Sequence, residues 1–147
     1  MGLLRTLQIS GSALLAQRLR MDVIANNVAN MNTTRTAEGG PYRHQSVRFE
    51  EDRVGTPFRD ILGRARDASS AGGVRVAAIV EDNTPARRVH DPQHPDADEN
   101  GDILMPNIDI VSEMTDIVSA RRAYEASVTV LNATKAMALR ALEIGRG

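Results

Sequence analysis

Apolar residues recur at seven-residue intervals through the first third of the chain. Leu7, Leu14, Met21 and Val28 occupy one place of the repeat, and Leu3, Ser10, Gln17, Ile24 and Met31 occupy its partner. Leu4, Leu15, Val23 and Ala25 widen the stripe, so the spacing predicts an amphipathic helix over about residues 3–31. The run "NMNTTRTAEGGP" then stops it with Asn, β-branched Thr, paired Gly and Pro. The last third repeats the rhythm. Ile110, Ile117, Tyr124, Leu131 and Ala138 share one position, while Met114, Arg121, Val128, Lys135 and Leu142 share the other, with two polar interruptions. Asp109 fits an N-cap just after Pro106 and Asn107, and Gly145 fits a stop. Such a helix spans roughly 50 Å, too long to fold back against a small globule.

Between them the pattern changes. All six prolines and most glycines fall in residues 33–108. "YRHQSVRFE" and "GGVRVAAIVED" are β-compatible; in the second, Val74, Val76, Ala78 and Val80 alternate with Arg75, Ala77, Ile79 and Glu81. "FRDILGRARDASSAGG" starts as a short helix and dissolves into a small-residue loop. Two helices with exposed apolar stripes cannot stand alone. The expected architecture is therefore mainly α with a small β-rich insertion: an antiparallel coiled-coil pair of long N- and C-terminal helices carrying a projecting middle domain. The corresponding segments are 1–32 (first helix), 33–108 (loop- and β-rich middle) and 109–147 (second helix). Val111, Val118, Met137 and Leu139 lie off the main seam, and Ala120, Ala123, Ala126, Ala133 and Ala136 allow close approach. That surplus calls for further helices, supplied by other subunits.

Composition narrows the function classes. With 41% hydrophobic but only 3% aromatic residues, the core is aliphatic, which suits helix-on-helix packing. Eighteen basic against nineteen acidic residues give no global pull toward nucleic acid or an anionic membrane. The arginines from Arg43 to Arg88 are interleaved with acids and few aromatics, as in a solvated or intersubunit surface. There is no cysteine, hence no disulfide or thiolate chemistry. No apolar run approaches the ~20 residues of a membrane span. The start lacks the apolar core of a secretory signal, so the expected export route is one that does not read such a signal. Met1-Gly2…Thr6 formally fits a myristoylation pattern too short to outweigh an ordinary helix start.

"DADENGDI", from Asp96, opens like an EF-hand loop, with Gly101 and Ile103 in register. The place of the bidentate Glu holds Asn107, Pro106 precedes it, and two prolines exclude an entering helix. A polar turn shaped by Asp and Asn side chains fits better, and a coiled-coil adapter with a divalent-metal loop at 96–107 is the alternative. His90, Asp91 and His94 suggest zinc, but Pro92 and Pro95 bar the helix that would align them. No phosphate loop, nucleophile elbow or HExxH occurs, so no enzymatic activity, cofactor or small-molecule substrate is expected. Asn26, Asn27, Asn30 and Asn32 crowd the first helix's end, where amides can satisfy orphan carbonyls and packed neighbours.

Two stretches carry a resemblance. "SGSALLAQRLRMDVIANNVANMNTTRT" resembles the N-terminal signature of bacterial flagellar rod, hook and hook-associated proteins. "HPDADENGDILMPNID", with the helix after it, is similar to the C-terminal half of a proximal rod member of that family. The resemblance implies a non-enzymatic structural subunit of the proximal rod, in the periplasmic part of the basal body. It implies unfolded export through the flagellar type III apparatus and assembly into a helical tube that transmits torque. Implied partners are other proximal rod proteins, the distal rod and the adapter joining rod to membrane ring, with no nucleic acid and no direct membrane insertion. Leu7, Leu14, Met21, Ile24, Asn27, Val28, Asn30, Ile110, Met114, Ile117, Tyr124, Val128, Leu131 and Leu142 are the residues expected to pack helices in the assembly. His94, Pro95, Asp96, Asp98, Asn100, Gly101, Pro106, Asn107 and Asp109 would form the connector into the second helix. Phe58…Leu62 has the form of the family's export motif.

Overall fold

The computed structural model describes residues 3–52 and 72–145. In chain order its elements are helix α1 (Leu3–Ala29), strands β1 (Gln45–Asp52), β2 (Gly73–Glu81), β3 (Arg87–His90) and β4 (Asp102–Met105), and helix α2 (Ile110–Gly145). Two long helices with short strands between them match the sequence expectation of a mainly α chain with a small β insertion. The Met1–Gly2 start, the Phe58…Leu62 pair and the short helix read from Phe58 lie outside the described residues. Among the described residues, no helix is long and apolar enough to cross a membrane.

The chain divides into two compact units. The first draws on Met1–Arg18, Phe49–Ala77 and Arg121–Gly147. Here Ser12 docks β2 onto α1: its Oγ donates to Ile9 O at 2.8 Å and accepts the Val74 N–H at 3.1 Å. Gly73 is required beside it, because a Cβ there would lie 2.6 Å from Ser12 Oγ. Ser10, Ala16 and Thr134 are buried in this unit.

The second unit draws on Leu19–Arg48 and Ala78–Ala120. The β1–β2 sheet begins here with Asp82 N–H donating to His44 O at 2.8 Å, and Ser46 Oγ reaches Val80 O at 3.4 Å. Rising numbers meet falling ones, so the strands are antiparallel. A second antiparallel pair, β3–β4, joins Arg87↔Met105, Arg88↔Leu104, Val89↔Ile103 and His90↔Asp102. Ile103 is its buried anchor at 4% exposure. The sequence pattern marks no strand here, only the connector that begins at His94. Four-residue strands, with Val89 turned inward in one and Ile103 and Met105 in the other, give too little periodicity to register. Along β2 the expected alternation holds for Val74, Val76 and Ala78 but fails at Val80, which is exposed.

α2 starts where its cap predicts. Asp109 Oδ1 accepts the Val111 N–H at 3.2 Å and Oδ2 the Ser112 N–H at 3.3 Å, while Asp109 O takes the first helical bond from Glu113 at 3.0 Å. Its most buried positions are Glu113, Ala120 and Thr134, at 5%, 0% and 2% exposure, with Ser127 part-buried on the same seven-residue row. This row lies one place before Met114, Arg121, Val128, Lys135 and Leu142. Among those, Met114 and Leu142 are 56% and 66% exposed and Val128 is half-buried. Small and hydroxylated residues carry no hydropathy signal, yet they bury without penalty when their donors are satisfied. Ser127 Oγ donates to Ala123 O at 2.9 Å and Thr134 Oγ1 to Val130 O at 2.8 Å.

Candidate functional site

Where α1 ends, its asparagines become structural. Asn30 N–H and Asn30 Nδ2 both donate to Asn26 O at 3.0 Å, and Thr33 N–H donates to Asn30 O at 3.0 Å. Orphan carbonyls of the last turn are thereby used. The chain then turns through Gly39 and Gly40, whose φ of 90° and 78° lie in the left-handed region that glycine tolerates. Tyr42 N–H returns to Thr33 O at 3.0 Å, which delivers Tyr42, His44 and Gln45 to the end of α1.

Asn27 is 1% exposed and has all four amide positions used. Its Nδ2 donates to Gln45 O at 2.8 Å and Glu113 Oε2 at 3.1 Å. Its Oδ1 accepts the Gln45 N–H at 3.0 Å and the Tyr42 hydroxyl at 3.2 Å. A side-chain amide that satisfies both backbone groups of the first residue of β1 acts as one more rung of the sheet. Glu113 is also buried, and its second oxygen lies 2.9 Å from His44 Nε2. Burial, then the charges of Glu81 and Glu113, push the Tyr42 hydroxyl above its ordinary range, so it stays protonated as a donor to Asn27.

Apolar contacts flank this polar knot. Val23, Ile24 and Ala120 are buried at 4%, 6% and 0% exposure, and Arg20 pairs with Asp116 at 2.8 Å. The Arg20 pair is partly solvated and contributes about 0–1 kcal/mol. Within this unit, Arg20 meeting Asp116 and Asn27 meeting Glu113 set the two helical segments antiparallel.

The connector is a second polar turn. Asp98 Oδ1 accepts the N–H groups of Asn100 at 2.8 Å and Asp102 at 2.9 Å, and those bonds, helped by Arg88 and His90, hold its carboxyl below the usual range. Asp102 meets His90 Nδ1 at 2.9 Å, and Asp96 Oδ2 accepts the Thr34 hydroxyl at 2.7 Å. His94 Nδ1 accepts the Asp96 N–H at 3.1 Å. Gly101 sits at φ 77°, with Pro92 Cγ 3.0 Å from where a Cβ would be. Pro106 is buried, while Pro95, Asn100 and Asn107 are exposed. The acidic oxygens face separate partners, backbone N–H groups for Asp98, the Thr34 hydroxyl for Asp96 and the His90 ring for Asp102, rather than a shared centre. Among the described residues, no three His, Asp or Glu side chains are grouped to hold a metal.

Of the residues expected to pack, Ile24 and Asn27 are buried. Leu7, Leu14, Met21, Val28, Asn30, Ile110, Ile117, Tyr124, Val128 and Leu131 are half-buried, and Met114 and Leu142 face solvent. Glu113, His44 and Tyr42 carry no signal in the sequence pattern. A lone Glu on the buried row of a helix gives no hydropathy signal, and its partners are distant in sequence. Large apolar side chains remain uncovered in both units: Val111, Met114 and Val118 in the second, and Leu4, Leu15, Val130, Met137, Leu139 and Ile144 in the first.

Comparison with known proteins adds the following. The family described as "Flagella basal body rod protein" matches residues 7–35, and "Flagellar basal body rod FlgEFG protein C-terminal" matches residues 100–144. The chain is 44% identical to "Flagellar basal-body rod protein FlgC" of Borreliella burgdorferi across 100% of both chains. It is 45% identical to the protein of that name from Bacillus subtilis, over 96% of this chain and 97% of the relative. For that of Salmonella typhimurium the identity is 40%, over 99% and 100%.

Proposed function

The chain belongs to the flagellar basal-body rod protein family, and from that premise we propose that it fills the place its FlgC relatives hold, as a structural subunit of the rod. It works in the flagellar basal body and does so by packing, without catalysis. Residues 1–32 and 109–147 pair as a coiled coil and join equivalent helices of neighbouring subunits, while residues 33–108 project from that tube. The assembled helical tube transmits torque. Its neighbours are other proximal rod proteins, the distal rod and the adapter to the membrane ring, and the flagellar type III apparatus delivers it to the periplasmic space.

The observation that supports this most is the uncovered apolar surface of α2. Val111, Met114, Val118, Val130, Met137 and Leu139 lie along a helix whose most buried row is largely small and polar. A helix arranged this way gains most of its order from neighbours. An interface that repeats head to tail without closing gives an open polymer. Deleting residues 110–147 is expected to stop rod completion and motility in a strain lacking the native gene. Complete rods and normal swimming with the deleted chain would remove the proposal.

A further inference from the structure

Asn100-Gly101 is the only Asn-Gly pair in the chain, and Asn100 is exposed at the tip of the loop between β3 and β4. Other asparagines precede residues with side chains, from Ala133 to Ile108. We propose that Asn100 is a site of spontaneous deamidation, held closed in the folded chain and opened when the connector turn is lost.

The chemistry needs only water. The Gly101 amide nitrogen loses its proton and attacks Asn100 Cγ. A new N–Cγ bond closes a succinimide, the Cγ–Nδ2 bond breaks, and the nitrogen leaves as ammonia carrying the proton. Water then opens the ring. Breaking N–Cγ gives aspartate, whereas breaking the bond between Asn100 C and Gly101 N gives isoaspartate. Glycine favours the first step because no Cβ obstructs the approach of its nitrogen.

The fold withholds each requirement. Gly101 N–H is donated to Asp98 O at 2.9 Å, so the nucleophile is occupied. The backbone at φ 77° is wedged, with Pro92 Cγ and His90 Cε1 at 3.0 and 3.1 Å from the Cβ position. Asn100 N–H is fixed on Asp98 Oδ1 at 2.8 Å, and Gly101 O accepts the Asp91 N–H at 2.9 Å. Carboxylates of Asp98, Glu99 and Asp102 nearby oppose formation of the amide anion. The product matters because isoaspartate adds a backbone methylene between Asp98 and Asp102. Their paired bonds, Asp98 N–H to Asp102 O and Asp102 N–H to Asp98 Oδ1, close at 2.9 Å only at the present spacing.

The test incubates the full chain in mildly alkaline buffer made with 18O-water, native and in guanidinium, and maps label by peptide mass spectrometry. In denaturant, Asn100 is expected to be the fastest of the chain's asparagines, giving both aspartate and isoaspartate. In the native chain its rate should fall about ten-fold or more, as for any reaction gated by local opening. Asp98→Ala, with its helical circular dichroism intact, should bring the native rate back toward the denatured one. Equal native and denatured rates, or a faster asparagine elsewhere in the denatured chain, would overturn the proposal. The native and guanidinium arms of the parent chain decide the question even where Asp98→Ala does not fold.

Discussion

Asn27 Nδ2 donates to Glu113 Oε2 at 3.1 Å, joining residues 86 positions apart in the chain, and both side chains are buried. One donor thus links the end of α1 to the first turn of α2. The other three bonds of the same amide hold β1 and Tyr42 to that point. Neither residue is apolar, yet the second unit is organised around them.

Asn27→Ala is therefore expected to be among the most costly single changes in the chain. It strands the Gln45 N–H and C=O, the Tyr42 hydroxyl and part of the Glu113 carboxylate, at about 1–3 kcal/mol for each group left without a partner or water. Asn30→Ala removes an exposed bond to Asn26 O and should cost about 1 kcal/mol or less. Urea unfolding of the two variants checks the difference; equal midpoints would mean the amide network carries little.

Packing inside the chain and packing between subunits separate by mutation. Met137 is 56% exposed, so Met137→Asp should leave thermal unfolding within about 0.5 kcal/mol of the parent. The same change should block incorporation into rods in a complementation assay. Val128→Asp, at a half-buried position, should lower stability and also prevent incorporation, since a carboxylate without a partner in a helical seam is costly. Normal swimming with Met137→Asp would assign that face to solvent.

Two glycines should respond in opposite directions. Gly73→Ala drives a Cβ to 2.6 Å from Ser12 Oγ and is expected to cost about 1–3 kcal/mol. Gly11, inside α1, has nothing within 4 Å of its Cβ position, and Gly11→Ala should stabilise by about 0.5–1 kcal/mol. Melting temperatures that move the same way for both would contradict the geometry of α1 against β2.

The connector carries an acid dependence. Bonds from Asp102 and Asn100 hold the Asp98 carboxyl low in the folded chain, so its contribution is present above the unfolded value and lost as pH falls through the folded one. Protection of the Asn100 and Asp102 amides, relative to their intrinsic exchange, should fall in that acid window, and Asp98→Ala should abolish the step. Tyr42 runs the other way. Its raised value means its contribution holds below the unfolded value and is lost as pH rises through the folded one.

The long elements were legible because their signals are repeated. Seven-residue apolar spacing located α1 and α2, and Asp109 located the start of α2 to the residue. Along α2, periodicity found the Ile110–Ile117–Tyr124 row but not the neighbouring row of Glu113, Ala120, Ser127 and Thr134, which have no hydropathy to detect. The asparagine cluster is visible as an oddity, and the partners of Asn27, namely Tyr42, Gln45 and Glu113, are not, because only the fold brings them together. The β3–β4 pair escaped for want of length.

A helix whose buried row is largely small residues, as at Ala120, presents shallow ridges, and shallow ridges permit sliding. A shift of one residue along α2 displaces Glu113 by about 1.5 Å, enough to break its 3.1 Å bond to Asn27 and uncouple His44. The amide and the carboxylate thus serve as an index pin that fixes the lengthwise register of the two helical segments in the second unit.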